Sequence, residues 1–100
     1  MTDALLTLVV PTHLAEAVED LLLAHPELVA GFTASHADGH GSQAQLTSTE
    51  ERVAGHAPRM AIATVGPLSQ LQALLALLKA QLPHANLYYW LTPVIARGTL

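Results

Sequence analysis

Four prolines, Pro11, Pro26, Pro67 and Pro83, constrain this chain most, because they bracket two helical segments and leave the remainder to strands and loops. Proline carries no backbone N–H and clashes inside a helix, so it sits at helix starts or beyond helix ends. It also disfavours helical geometry in the residue before it. Ahead of Pro11 runs Ala4-Leu5-Leu6-Thr7-Leu8-Val9-Val10, short and apolar, which suits a buried strand. Thr12 can cap a helix from about His13 to His25. Leu14, Val18, Leu21 and Leu22 recur at i, i+4, i+7 and i+8 and share one face of it. Pro26 closes that helix.

Leu28 to Ala37 forms the next candidate strand, with Ala30, Phe32, Ala34 and His36 on one side and Thr33 and Ser35 on the other. Residues 38–56 are rich in Gly, Ser, Thr and Gln and read as a long loop. Arg59 to Val65 is a third strand. Gly66-Pro67 then opens a second helix, whose apolar stripe is Leu68, Leu71, Leu74, Leu75, Leu78 and Leu82, and Pro83 ends it. Leu87 to Val94 (LYYWLTPV) is a fourth strand and holds three of the four aromatic residues.

The order strand, helix, strand, loop, strand, helix, strand predicts an α+β, ferredoxin-like βαββαβ domain, in which a four-stranded antiparallel sheet carries both helices on one face. The 100 residues (1–100) are enough for one such core. Two helices cover only one face of a sheet. The other face should be polar in a monomer, yet both alternating sets of the outer segments are apolar: Leu6, Leu8 and Val10 against Leu5 and Val9, and Leu87, Tyr89 and Leu91 against Tyr88 and Trp90. A second apolar face of that size predicts burial against another copy, hence a homo-oligomer.

Composition excludes several classes. Net charge is −4, with four basic residues, so there is no clustered basic surface for nucleic acid or for anionic lipid. Without cysteine there are no disulfides or thiolate metal sites, and any metal must rest on His and carboxylate. No stretch approaches the ~20 apolar residues that span a bilayer, and Asp3 stands where a signal peptide would carry positive charge. A cytoplasmic protein with no direct membrane insertion is the expectation. No triad order, nucleophilic Cys, phosphate-binding glycine loop or paired-carboxylate motif appears, and adjacent Glu50 and Glu51 diverge on a helix, so the chain is not expected to be an enzyme.

Two candidate sites lie at the start of the long loop and within it. Ser35-His36-Ala37-Asp38-Gly39-His40-Gly41-Ser42 places two imidazoles around an Asp-Gly turn. His36, His40 and Asp38 would converge if that segment folds back, and His56 can return beside them from the loop's far end. Such a set suits a divalent metal or copper. The alternative is that Gly39 and Gly41 shape a loop and the histidines are solvated. His13, His25 and His84 read as structural or solvated. The second site is Ser48-Thr49-Glu50-Glu51-Arg52, where Ser48 and Glu51, like Thr47 and Glu50, have capping-box spacing. A nineteen-residue connection in so small a domain is unusual and long loops are often functional, which points to partner recognition through Ser48, Glu50, Glu51 and Arg52.

Gly31-Phe32-Thr33, Gly39-His40-Gly41, Leu46-Thr47-Ser48-Thr49-Glu50-Glu51-Arg52-Val53-Ala54-Gly55 and Tyr89-Trp90-Leu91-Thr92-Pro93-Val94 occur in an order that resembles the PII signalling superfamily. Within it the chain looks most like a PII-like family of small proteins encoded beside heavy-metal efflux pumps of the RND type. The resemblance spans nearly the whole chain. It implies a homotrimer whose inward-facing sheets bury the second apolar face, and a loop at 38–56 (the T-loop in PII proteins) that contacts a partner, here a membrane metal-efflux pump or its regulator. It also implies adenine nucleotides between subunits, near Arg59, Arg97, Gly39 and Gly41. The Gly-Asp-Gly-Lys turn of PII proteins is replaced by Pro83-His84-Ala85-Asn86, which leaves two arginines for the phosphates and puts a metal ahead of a nucleotide as the ligand. The expectation is therefore a trimeric regulatory sensor. The alternatives are a small metal-binding protein using the loop histidines and a docking scaffold without a ligand.

Overall fold

A computed structural model describes residues 2–40 and 57–100. The elements are β1 (Asp3–Pro11), α1 (Thr12–Leu23), β2 (Thr33–Gly39), β3 (Ala57–Pro67), α2 (Leu68–Gln81) and β4 (Tyr88–Val94). The strands form one sheet in the order β2-β3-β1-β4, with every neighbouring pair antiparallel. The fold is α+β and ferredoxin-like.

The prolines that end β1 and β3 also act as helix N-caps. Pro11 and Pro67 have extended backbone (φ −56, ψ 140 and φ −59, ψ 135), and helical geometry begins at the next residue. Thr12 is thus already helical, and no side chain caps either helix. At α2 the free N–H of Leu68 donates instead to the Thr2 carbonyl at 2.8 Å, tying the helix start to the start of β1. α1 ends at Leu23. The ring Nδ1 of His25 donates to the Leu21 carbonyl at 3.0 Å and occupies one acceptor that the helix end leaves open.

Alternation along β1 builds the core. Ala4, Leu6, Leu8 and Val10 are buried under the helices, against Val18 and Leu22 of α1 and Leu71, Leu74 and Leu78 of α2. Each fully buried Leu or Val contributes about 1.5–3 kcal/mol relative to an exposed position. The register carries the same face across the sheet: Leu8 lies opposite Ile62 on β3 and Tyr89 on β4, and Ile62 lies opposite Ala34 on β2.

The second strand departs from the sequence expectation. Leu28 and Val29 belong to a turn, where both N–H groups donate to the His25 carbonyl at 3.0 and 3.1 Å, so that backbone is unavailable for pairing. Val29 is instead buried in the core and Leu28 packs against it. β2 begins at Thr33 and continues through Gly39, so Asp38 and Gly39, expected in the loop, are paired with Pro58 and Ala57. β3 is correspondingly longer at both ends than Arg59 to Val65. Residues 41–56 lie outside the described residues.

Candidate functional site

Among the described residues no helix covers the sheet face that carries Leu5, Val9, Tyr88 and Trp90. Registered pairs place Leu5, Thr7 and Val9 of β1 beside Val65, Ala63 and Ala61 of β3, and beside Thr92, Trp90 and Tyr88 of β4. Ser35 and Ala37 of β2 extend it past Ala61 and Arg59. Tyr88 and Trp90 remain 62% and 43% exposed, and their rings meet edge to face at 5.9 Å. Charge is confined to its two ends. At one end stands Asp3, paired with Arg97. At the other, Arg59 lies opposite Pro11 and Ala37 and donates from Nη1 to the Pro58 carbonyl at 2.9 Å.

Arg97 is fixed by two contacts. Its Nε donates to Asp3 Oδ2 at 3.1 Å and its Nη1 to the Val65 carbonyl at 3.4 Å. Asp3 and Pro11 are eight residues apart on β1, so Arg97 and Arg59 sit roughly 26 Å apart along the strand. One chain therefore does not bring both arginines, nor Gly39 and Arg97, to a single phosphate. Val65 also lines a depression of about 370 Å³ with Leu5, Gly31, Phe32, Thr33 and Thr64. Thr64 Oγ1 donates to the Gly31 carbonyl at 2.6 Å and so joins two of the residues that line it.

The histidine segment takes a form the sequence did not suggest. His36 and Asp38 do not fold back through a turn. They lie on edge strand β2, opposite Met60 and Pro58, and alternation puts them on the helix side of the sheet about 6.8 Å apart. Both are exposed, and His40 follows directly after the strand. Among the described residues no group of three His, Asp or Glu side chains is close enough to hold a metal. His56, Gly41, Ser48, Glu50, Glu51 and Arg52 lie outside the described residues. His36, Asp38, His40 and Arg59 all occupy the sheet end from which segment 41–56 departs and returns, with Arg59 on the opposite face from His36 and Asp38.

A second cavity, of about 380 Å³, opens between α2 and β4, with Leu8 and Leu78 among its lining residues and Lys79, Asn86 and Tyr89 as its polar ones. Sequence reasoning placed Leu75 and Leu82 on the core stripe of α2. They are only partly buried and line this cavity instead. The available signal was a surplus: α2 carries more leucines than one buried stripe of Leu71, Leu74 and Leu78 requires.

Residues 1–100 match a family model described as a protein of unknown function, DUF3240. The chain belongs to the DUF3240 family. No curated protein matches it. Among solved structures, a DUF3240 family protein from Shewanella baltica OS155 is 24% identical, with a TM-score of 0.78 over 100% of this chain and 98% of the other. CutA from Synechococcus elongatus PCC7942 is 22% identical, with a TM-score of 0.73 over 97% of this chain and 84% of that one. CPII from Thiomonas intermedia K12, a nitrogen regulatory PII-like protein bound to ADP, AMP and bicarbonate, is 17% identical, with a TM-score of 0.70 over 99% and 98% of the two chains. These likenesses place this DUF3240 chain in the PII-like fold. Among its described residues no helix is long and apolar enough to cross a membrane.

Proposed function

We propose that this DUF3240 protein is a PII-like regulatory subunit, a homotrimer formed through the open sheet face, which signals to a partner through residues 38–56. The observation that carries this reading is the uncharged apolar surface of Leu5, Val9, Ala61, Ala63, Val65, Tyr88 and Trp90. Burying it removes water from apolar area at ~25 cal/mol per Å², and the ion pair and arginine at its ends are placed to frame the contact. The proposed partner is a heavy-metal efflux pump or its regulator, at the cytoplasmic side, and the protein acts by binding and not by catalysis. Position supports the role of the loop, since both its stems rise from the sheet end that carries His36, Asp38, His40 and Arg59.

Assembly bears on the ligand as well. CPII is bound to ADP and AMP. In this chain a nucleotide can meet both Arg59 and Arg97 only where two copies adjoin, because the two lie at opposite ends of one sheet. The metal reading is favoured by a separate observation, that His36 and Asp38 share one exposed face of an edge strand. Two such groups make an incomplete site, which His40 and His56 would complete.

Thermal unfolding with zinc, copper, nickel, ATP, ADP and AMP in turn separates these ligands. Binding to the folded state stabilises it by about 2.7 kcal/mol at a hundredfold excess over Kd. A metal-induced shift that disappears in His36→Ala/His40→Ala assigns a metal sensor. A nucleotide-induced shift that survives those changes but falls in Arg59→Ala assigns a nucleotide sensor. Silence from every compound refutes the sensor reading and leaves a docking scaffold.

A further inference from the structure

We infer that the cleft between α2 and β4 is a binding site for a small amphipathic carboxylate, separate from the loop and from the open sheet face. Its volume of about 380 Å³ falls within the range of pockets that hold small molecules. The walls are aliphatic, formed by Leu75, Leu78, Leu82 and Leu87. Its polar lining residues are Lys79, Tyr89 and Asn86, and all three are exposed, so an aliphatic wall adjoins polar side chains with access to solvent. That combination suits a ligand with a hydrocarbon body and one polar head.

Charge decides which head. Among the described residues Lys79 is the only charged one lining the cleft, and it has no ion-pair partner among them. The carboxylates of the helix layer are elsewhere: Glu16, Glu19 and Asp20 lie on α1, and Glu27 follows it. In a chain of net charge −4, this cleft is thus a local exception that favours an anion. An ammonium, a phenol and an amide all donate hydrogen bonds, and a carboxylate accepts them without donating any. A primary amine would instead bring its charge against Lys79.

Octanoate, octylamine and octanol test this on the full-length protein, followed by methyl and amide NMR shifts and by thermal unfolding. The account expects saturable octanoate shifts centred on Leu75, Leu78, Leu82 and Leu87, with a rise in Tm. It expects octylamine to bind more weakly and Lys79→Gln to lose about tenfold in octanoate affinity, a change at an exposed side chain that leaves the fold intact. Tyr89→Phe keeps the wall and removes one donor, so a smaller loss is expected. The inference is overturned if octylamine binds as tightly as octanoate, if Lys79→Gln binds octanoate unchanged, if the shifts spread over Leu5, Val9 and Val65 on the open face, or if no saturable shift appears.

Discussion

Arg97 Nε donates to Asp3 Oδ2 at 3.1 Å and so joins residues 94 positions apart, fastening the segment after β4 to the first strand. Arg97 is exposed and Asp3 partly so, their side chains at 45% and 32%. Solvent screens such a pair, and its expected contribution is at most about 0.5 kcal/mol. Arg97→Ala should therefore leave the urea midpoint nearly unchanged while speeding amide exchange in the residues after Val94. A loss above ~2 kcal/mol, or unchanged exchange, would show that the pair does something other than tether the segment.

Thr64 offers a sharper contrast. It is buried, and its hydroxyl reaches the Gly31 carbonyl at 2.6 Å, holding the approach to β2 against β3. Thr64→Val keeps the shape and removes the donor. Gly31 is exposed, so its carbonyl can take a water instead, and the cost should lie near 1 kcal/mol. Urea denaturation measures it, and a neutral or stabilising result would mean the bond is not maintained in solution.

The two helix faces should respond differently to truncation. Leu71 is fully buried between α2 and the sheet, whereas Leu23, at the end of α1, is 69% exposed. Leu71→Ala should cost 2–5 kcal/mol, in the range of cavity-forming core substitutions. Leu23→Ala should stay within about 0.5 kcal/mol. Both are to be compared at one protomer concentration, because assembly adds to apparent stability.

Trp90 is the chain's single tryptophan and sits on the open face, so its emission reports on that face alone. In the proposed assembly it is shielded from water, and its emission should move to longer wavelength on dilution or in Val9→Asp. Emission that is red-shifted at every concentration would place Trp90 in water throughout.

Much of this architecture was legible from residue pattern. Pro11, Pro67 and Pro83 set the helix limits because proline's geometry is local, and the alternation of Leu5, Leu6, Val9 and Val10 revealed two apolar faces before any pairing was known. What failed were the features that depend on distant partners. Leu28 and Val29 have strand-like side chains, yet the turn bonds to His25 claim their backbone. Asp38 and Gly39 look like loop, yet Pro58 and Ala57 are in register to extend the ladder past them. The separation of Arg59 from Arg97 was equally hidden, since it follows from strand register and not from any motif. Leu75 and Leu82 match the spacing of core leucines, and only the position of β4 shows that they border a cleft.

The central claim is that the apolar sheet face is an interface between copies of this chain. Light scattering coupled to size exclusion measures the mass of the native protein directly. The account predicts three times the chain mass of 10.6 kDa, falling to one chain in Val9→Asp with far-UV circular dichroism preserved. A wild-type mass of a single chain at micromolar concentration would contradict it.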